Sequence, residues 1–258
     1  NFTGGEGAAV TQQGNPYVFR TSFGQSVSFP KVARYINQKS KNLVVIYVNN
    51  DFGKGGRDTI RQLLDGSPTK IVADISTDQG QVDFSAAVLQ AKRSNADAMF
   101  AYVNEEESAR LLRELRKQGW DKPIIGETTL TGQKVIELAG DAANGAMAHV
   151  GLTVEAPQLK GFGDKYKAAY NSVPDHNGVK GYMGMYTLKA AIDKVGKLDR
   201  EAVAAALRNS CYDAKANPGI LMSVCYDDKG DLDRESFMVQ VKAGRGEVVE
   251  TLPPLGKK

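Results

Sequence analysis

Polar side chains follow three predicted strands at the points where those strands end. In chain order they are Asn50 with Asp51, Asn104, and Glu127 with Thr128. In an open parallel sheet the carboxyl ends of the strands share one edge, and small ligands bind in the crevice beyond that edge. Each of these side chains could instead cap the helix that follows it. Three such loops at one edge favour a polar ligand pocket over separate caps.

Catalytic chemistry is poorly supported. Neither of the two histidines, His149 and His176, lies on a strand-end loop beside a candidate nucleophile. The glycines of Gly53–Gly56 lack the spacing of a phosphate-binding loop or of a dinucleotide-binding turn. No set of histidine, cysteine and carboxylate residues has the spacing of a metal site. We therefore predict a protein that is not an enzyme and has no cofactor or metal, and we interpret both histidines as structural or solvated.

The two cysteines, Cys211 and Cys225, lie fourteen positions apart. They are candidates for a disulfide that closes a hairpin, which would place the protein in an oxidising compartment. The alternative is a pair of buried thiols, because spacing alone does not fix the geometry of the two side chains.

The charge balance excludes several functional classes. The 258 residues carry 33 basic and 30 acidic side chains, a net charge of +3, and 41% of them are apolar. Acids offset the basic residues on the same segments, as Glu105–Glu107 offset Arg110, which is typical of solvated helix faces and not of a nucleic-acid surface. No window approaches the roughly 18 consecutive apolar residues of a membrane helix. The length suits one large domain or two modest ones.

Strands and helices alternate through the middle of the chain. Continuous apolar runs rich in β-branched residues predict strands buried on both faces of a parallel sheet. The predicted strands are Asn42–Val48, Lys70–Ile75, Asp97–Val103, Pro123–Gly126 and Gly145–Val150, and the predicted helices are Gly55–Leu64, Phe84–Ala91, Glu105–Gln118 and one opened by Thr131 or Gly132. Right-handed βαβ crossovers turn this order into a complete doubly wound α/β domain with a parallel sheet over residues 25–150.

The two ends of the chain differ from this pattern. Residues 1–20 contain one plausible strand, Tyr17–Arg20, and residues 157–210 are helical without interleaved strands. The predicted helices there are Phe162–Tyr170, Val179–Val195 and Arg200–Arg208, and the predicted strands of the tail are Ile220–Val224, Phe237–Lys242 and Glu247–Glu250. The helices need a sheet to bury their apolar faces, and this part of the sequence supplies little of one.

Several motifs together carry a family resemblance. They are Asn15–Thr21, Val45–Tyr47 leading into Asn50–Gly53, Asp83–Ser85, Gly126–Thr128, Ala139–Asp141 with Gly145, Tyr182 with Tyr186, and Asp227–Leu232. In this order they resemble the branched-chain amino-acid (Leu/Ile/Val-binding-like) family of periplasmic solute-binding proteins of ABC transporters. The resemblance covers essentially the whole chain.

The resemblance implies a type I periplasmic-binding-protein fold of two doubly wound lobes, in which a ligand closes the hinge and the closed form docks on a membrane ABC permease. The three crossings between the lobes would fall near Thr21–Gly24, Gly151–Val154 and Arg234–Phe237. The family's first βα units are absent before Asn1, so we expect a truncated lobe 1 (residues 1–24 and 151–235) and a complete lobe 2 (25–150 and 236–258). Truncation would impair the receptor and leave apolar helix faces for a homodimer to cover.

The resemblance also implies ligand contacts. The family's aromatic contact after the first strand of lobe 2 falls on Phe52. After the third strand, where the amino-acid binders have another aromatic residue, this sequence has Asn104. The carboxylate that pairs with a ligand ammonium falls at Thr128 or, with a shift of one residue, at Glu127. From lobe 1, the segment holding Thr3, Gly4 and Glu6 would contact the ligand carboxylate, and Tyr182 its side chain. If Glu127 faces the cleft, its buried carboxylate fits an ammonium group. If it faces solvent, the amino-acid interpretation weakens. An aromatic or hydroxylated organic acid is the alternative ligand.

We therefore expect a periplasmic solute-binding component of an ABC transporter, whose ligand is an amino acid or a small organic acid. The alternative is a ligand-sensing receptor domain of the same fold.

Overall fold

The computed structural model describes residues 1–4 and 9–256, and Ala9 by its backbone only. The strands in these residues are β1 (Phe2–Thr3), β2 (Phe19–Arg20), β3 (Asn42–Val48), β4 (Lys70–Thr77), β5 (Ala98–Tyr102), β6 (Ile124–Glu127), β7 (Met147–Val150), β8 (Cys211–Tyr212), β9 (Val224–Tyr226), β10 (Leu232–Asp233), β11 (Ser236–Lys242) and β12 (Arg245–Leu252).

The α-helices are α1 (Ala9–Gln12), α2 (Gln25–Lys39), α3 (Asp51–Leu64), α4 (Ser85–Arg93), α5 (Glu105–Lys117), α6 (Gln133–Ala139), α7 (Pro157–Tyr170), α8 (His176–Val195) and α9 (Arg200–Leu207). Short 3₁₀ turns occupy Thr128–Thr131, Gly140–Ala143 and Pro218–Ile220. None of the helices in the described ranges is both long and apolar enough to cross a membrane.

The described chain separates into two compact units. Unit 1 comprises the described residues of Asn1–Val27, Gly151–Ser236 and Leu252–Lys258, and unit 2 comprises Ser28–Val150 and Phe237–Thr251. The lobe boundaries that the resemblance implies differ from the boundaries of the two units by up to three residues. The resemblance also assigns the segment after Thr251 to lobe 2, whereas the structure groups its described residues with unit 1. The assignment of the units as the family's lobes stays a prediction.

Unit 2 is built on a seven-stranded sheet in the order β12-β11-β7-β6-β5-β3-β4. The pairs β3–β4, β3–β5, β5–β6 and β6–β7 are parallel, and β11 is antiparallel to β7. β3 is buried along nearly its whole length because helices cover both faces of the sheet. Each of its fully buried Leu, Val and Ile side chains contributes about 1.5–3 kcal/mol of burial free energy. This is the predicted doubly wound α/β arrangement.

Helix α3 begins at Asp51, four residues earlier than predicted. The Asn50 side chain accepts a hydrogen bond from the backbone N–H of Gly53 at 2.9 Å and so caps the helix. Glycine lowers helix propensity, which hid this first turn in the sequence. The glycine is needed because a Cβ at position 53 would lie 1.9 Å from the carbonyl oxygen of Val48.

Unit 1 holds a parallel pair, β1–β2, and an antiparallel three-stranded sheet in the order β10-β9-β8. Phe2, Phe19 and Tyr226 pack their rings together, with centroids 5.5–6.5 Å apart. The sequence did not predict β1, because a strand of two residues is too short to show a periodic pattern. Cys211 and Cys225 are opposite each other on β8 and β9 and are joined in a disulfide.

The strand predicted over Ile220–Val224 is wrong. A 3₁₀ turn occupies Pro218–Ile220, and β9 begins only at Val224. Leu221 has a φ of 65°, in the left-handed region, which interrupts an extended strand.

Candidate functional site

The predicted polar loops of unit 2 do meet at one sheet edge. β3, β5 and β6 are neighbours in a parallel sheet, so the residues after Val48, Tyr102 and Glu127 leave the sheet on the same side. Asn50 is committed to capping α3, and its Nδ2 also donates to Gln79 Oε1 at 3.3 Å. Asp51 is exposed in the first helical turn, where its charge suits the helix dipole.

Phe52 forms an aromatic pair at this edge. Its ring stacks on Tyr102, with centroids 4.2 Å apart and planes inclined by 25°. Tyr102 is buried, whereas Phe52 is half-buried. The pair joins the end of β5 to the first turn of α3 and offers an apolar surface beside the polar loops.

Asn104 holds a buried carboxylate in place. Its side chain donates to Glu107 Oε1 at 3.0 Å, and the Gly80 backbone N–H donates to the same oxygen at 2.7 Å. Burial by itself raises the pKa of Glu107, but these hydrogen bonds outweigh it and keep the pKa below its usual value. Glu107 therefore links Asn104, after β5, to the loop after β4.

Glu127 ends β6 directly beside His149 of β7. Its Oε2 lies 3.0 Å from His149 Nδ1, and both side chains are buried. Among the described residues, Glu127 Oε1 has no hydrogen-bond partner. Thr128 is half-buried and donates to the His149 carbonyl oxygen at 3.4 Å. Glu127 thus faces the protein interior and not bulk solvent.

The sites predicted in unit 1 lie partly together. Thr3 ends β1, its carbonyl oxygen accepts from the Thr21 backbone N–H at 2.8 Å, and the Gly4 carbonyl accepts from Ser22 Oγ at 2.7 Å. Lys180 of α8 lies against Gly4. Glu6 lies outside the described residues.

Tyr182 is not brought to this segment. Its ring packs against Phe162 and Tyr186, with centroids 4.6 and 4.7 Å away. Tyr182 follows Lys180 by two positions in α8, and each residue of an α-helix turns about 100° around the axis. The two side chains are therefore about 200° apart, and Tyr182 lies on the face opposite Lys180. Burial, followed by the hydrogen bond with Tyr186, raises the pKa of the Tyr182 hydroxyl.

Sequence reasoning missed three residues. Tyr102 lies in a predicted strand without a predicted contact, Lys180 is not singled out by any motif, and the interpretation of His149 as structural or solvated gives it no place beside Glu127. Of the three, only the position of His149 could have been predicted to lie near Glu127, because His149 stands on the predicted strand that follows the one ending next to Glu127. In the ranges that the structure covers, no three His, Cys, Asp or Glu side chains are grouped as a metal site would require.

Comparison with known proteins identifies the class. The model of the periplasmic binding protein family matches residues 2–246, so the chain belongs to that family. This confirms the predicted periplasmic location and the prediction that the protein is not an enzyme.

Individual relatives narrow the resemblance. The Leu/Ile/Val-binding protein BraC3 of Rhizobium johnstonii is 30% identical over 233 residues, which are 88% of this chain and 62% of BraC3. A leucine-, isoleucine-, valine-, threonine- and alanine-binding protein from Brucella ovis, in a closed conformation, has a TM-score of 0.86 at 17% identity, over 98% of this chain and 69% of that one. A solute-binding protein of an ABC transporter from R. palustris, in complex with benzoate, has a TM-score of 0.80 at 19% identity, over 94% and 68%.

These likenesses confirm the type I periplasmic-binding-protein fold. The chain spans about 62% of the length of BraC3.

Proposed function

We propose that this chain is the ligand-contacting part of the solute-binding component of an ABC transporter, and that its solute is an amino acid or a benzoate-like organic acid. One observation carries the proposal: the Phe52–Tyr102 ring pair lies at the same edge of a parallel sheet as Asn104, Glu127 and Thr128. An apolar surface beside a few convergent polar groups is the usual composition of a small-molecule site. BraC3 is named for Leu, Ile and Val, and the R. palustris protein holds benzoate.

Each residue has a distinct role in this proposal. The half-buried Phe52 ring contacts the apolar body of the solute, whether a branched side chain or an aromatic ring. The Thr128 hydroxyl and the Asn104 amide hydrogen-bond to its polar groups. Glu127 Oε1 accepts a hydrogen bond from an ammonium or hydroxyl group, with His149 holding the other oxygen.

Isothermal titration of the chain with leucine, isoleucine, valine, benzoate and 4-hydroxybenzoate tests the proposal. We expect either the three amino acids or the two aromatic acids to bind. Phe52→Ala should weaken the binding of those solutes by about tenfold or more, because a lost aromatic contact is worth roughly 1.5–3 kcal/mol. Tyr170→Ala is the matched control, since that ring is 68% exposed and belongs to unit 1. Absence of binding to every solute, or equal binding by the Phe52 variant, would contradict the proposal.

We also propose two partners. The first is a membrane ABC permease, to which the liganded protein delivers its solute. The second is another copy of the chain, because large apolar side chains of unit 1 are exposed, with Tyr170 of α7 at 68%, Met185 of α8 at 67% and Leu198, between α8 and α9, at 87%. Light scattering should then give twice the 27.8 kDa of one chain, and a monomer at high concentration would rule out the dimer.

The proposed receptor is weaker than its relatives. The chain spans about 62% of BraC3, and we expect its dissociation constant for the best solute to exceed that of BraC3 for leucine in parallel titrations. Equal constants would contradict this point.

A further inference from the structure

Asn104 departs from the other polar residues that open helices. It stands at the N-cap of α5, yet among the described residues its side chain makes no capping hydrogen bond. At the start of α3, α8 and α9, the side chains of Asn50, Asp175 and Asp199 each accept from the backbone N–H three residues later, at 2.7–3.0 Å. An N-cap residue normally uses its side-chain oxygen in this way. Asn104 Oδ1 is therefore not used to stabilise its own helix.

The nitrogen of the same amide is held by Glu107. Asn104 Nδ2 donates to Glu107 Oε1 at 3.0 Å, and the Gly80 N–H donates to that oxygen at 2.7 Å. Glu107 is only 4% exposed, and burial by itself raises its pKa. The hydrogen bonds outweigh burial and keep the pKa below its usual value, so the carboxyl is ionised at neutral pH. An ionised carboxylate only accepts hydrogen bonds, so Asn104 turns its NH₂ group, and not its oxygen, towards Glu107.

This contact also fixes the orientation of the amide oxygen. Oδ1 and Nδ2 leave the same planar carbon in different directions, so an amide whose nitrogen faces Glu107 presents its oxygen elsewhere. Asn104 is half-buried and follows β5 at the edge where the parallel strands β3, β5 and β6 end. Phe52 and Thr128 follow the two neighbouring strands at the same edge. The Asn104 oxygen is therefore an acceptor of fixed orientation at the edge of unit 2 to which we assign the solute.

We propose that Glu107 is a positioning residue: it holds the Asn104 amide so that the amide oxygen faces the solute and selects solutes that present a hydroxyl or ammonium donor. This inference rests on the proposed solute-binding function, which it deepens by naming a hydrogen-bond donor as the feature recognised. A solute without that donor displaces water from the amide oxygen and gives it no partner, which weakens binding. Glu107 acts through Asn104 and does not itself contact the solute.

Isothermal titration with matched solutes tests the inference. The probes are 4-hydroxybenzoate with benzoate and leucine with 4-methylpentanoate, where the second member of each pair lacks the donor group. For the pair that binds, we expect the unmodified chain to bind the donor-bearing solute at least about tenfold more tightly. Glu107→Leu should reduce this ratio by about fivefold, and Glu127 Oε1 supplies the preference that remains. Glu106→Leu is the control, because Glu106 lies on the same helix, is 59% exposed and pairs with Arg110.

A double variant distinguishes positioning from a general structural effect. If Glu107 acts through Asn104, Asn104→Leu should lower the ratio as much as Glu107→Leu does, and the two changes together should lower it no further. Glu107→Gln keeps an oxygen that can accept from Asn104 and Gly80, so it should retain more of the ratio than Glu107→Leu. A general structural defect would weaken the binding of both members of a pair alike and leave their ratio unchanged.

The outcomes separate the two proposals. If none of these solutes binds the unmodified chain, the solute-binding function itself fails, and this inference with it. If both members of a pair bind equally well, if Glu107→Leu keeps the full ratio, or if the double variant falls below both single variants, the role of Glu107 alone is overturned. Should Glu107→Leu fail to fold by circular dichroism, Asn104→Leu and Glu107→Gln replace it: a full ratio in Asn104→Leu, or a ratio in Glu107→Gln as low as in Asn104→Leu, would contradict the inference.

Discussion

The buried Glu127–His149 pair allows one stability prediction to be worked out from the structure. Replacing His149 by Leu removes the group that hydrogen-bonds Glu127 Oε2 at 3.0 Å and leaves a carboxylate that is 5% exposed. Removing the hydrogen-bond partner of a buried carboxylate costs about 3 kcal/mol, since the carboxylate has lost its water without compensation.

Urea unfolding followed by tryptophan fluorescence measures this cost. Trp120, the single tryptophan, is 3% exposed and lies in unit 2 with the pair, so its emission reports on the unit concerned. With a slope of about 2 kcal/mol per molar urea, His149→Leu should lower the midpoint by about 1.5 M. His176→Leu, in unit 1, is the control and should leave the tryptophan transition in place.

A double-mutant cycle isolates the interaction. Replacing both residues, with Glu127→Leu and His149→Leu together, should recover most of the loss, because two apolar side chains need no partner. The expected coupling energy is about 2–3 kcal/mol. A midpoint for His149→Leu within about 0.3 M of the unmodified chain, or a double variant no more stable than the single one, would refute the reasoning.

Three further predictions concern unit 1. Gly151→Ala places a Cβ 2.8 Å from the Phe23 ring and should cost about 1–3 kcal/mol, read as a lower Tm by calorimetry. Gly161→Ala, at an open position inside α7, should instead keep or raise the Tm, because alanine favours a helix over glycine. Reducing the Cys211–Cys225 disulfide should cost about 3 kcal/mol, and Cys225→Ser should show the same loss without reductant. Burial, followed by the Lys180 charge, lowers the pKa of His176 in the folded protein to about 4. The contribution of His176 to the free energy of unfolding is therefore full above about pH 6.5 and falls as the pH drops towards 4. In urea titrations over this pH range, His176→Asn should lose less stability than the unmodified chain.

Local signals in the sequence predicted the sheet of unit 2 closely. The run Asn42–Val48 is a strand with the predicted bounds, because β-branched residues bounded by polar ones fit a strand buried on both faces. Helix α5 ends next to Gly119, whose φ of 74° is the left-handed conformation expected after a helix. Such features depend on neighbours within a few residues.

The remaining features depend on partners distant in the sequence. β1 exists because Phe2 and Thr3 pair with Phe19 and Arg20, a contact that local periodicity does not encode. Lys180 is buried against Gly4, which lies 176 positions earlier in the chain, and no pattern within α8 distinguishes it from an exposed lysine. The candidate site is of this second kind, since its members come from separate strands.

Strand register gives Glu127 and Thr128 different surroundings at this edge. Glu127 is the last residue of β6, so its side chain still follows the alternation of the strand and pairs with His149 of β7. Thr128 opens the 3₁₀ turn and remains half-buried, with a hydroxyl at the position where the resemblance places a carboxylate. A hydroxyl forms a hydrogen bond without requiring a charge on the solute. Within the proposed function, we therefore expect this edge of unit 2 to accept an aromatic acid as well as an amino acid.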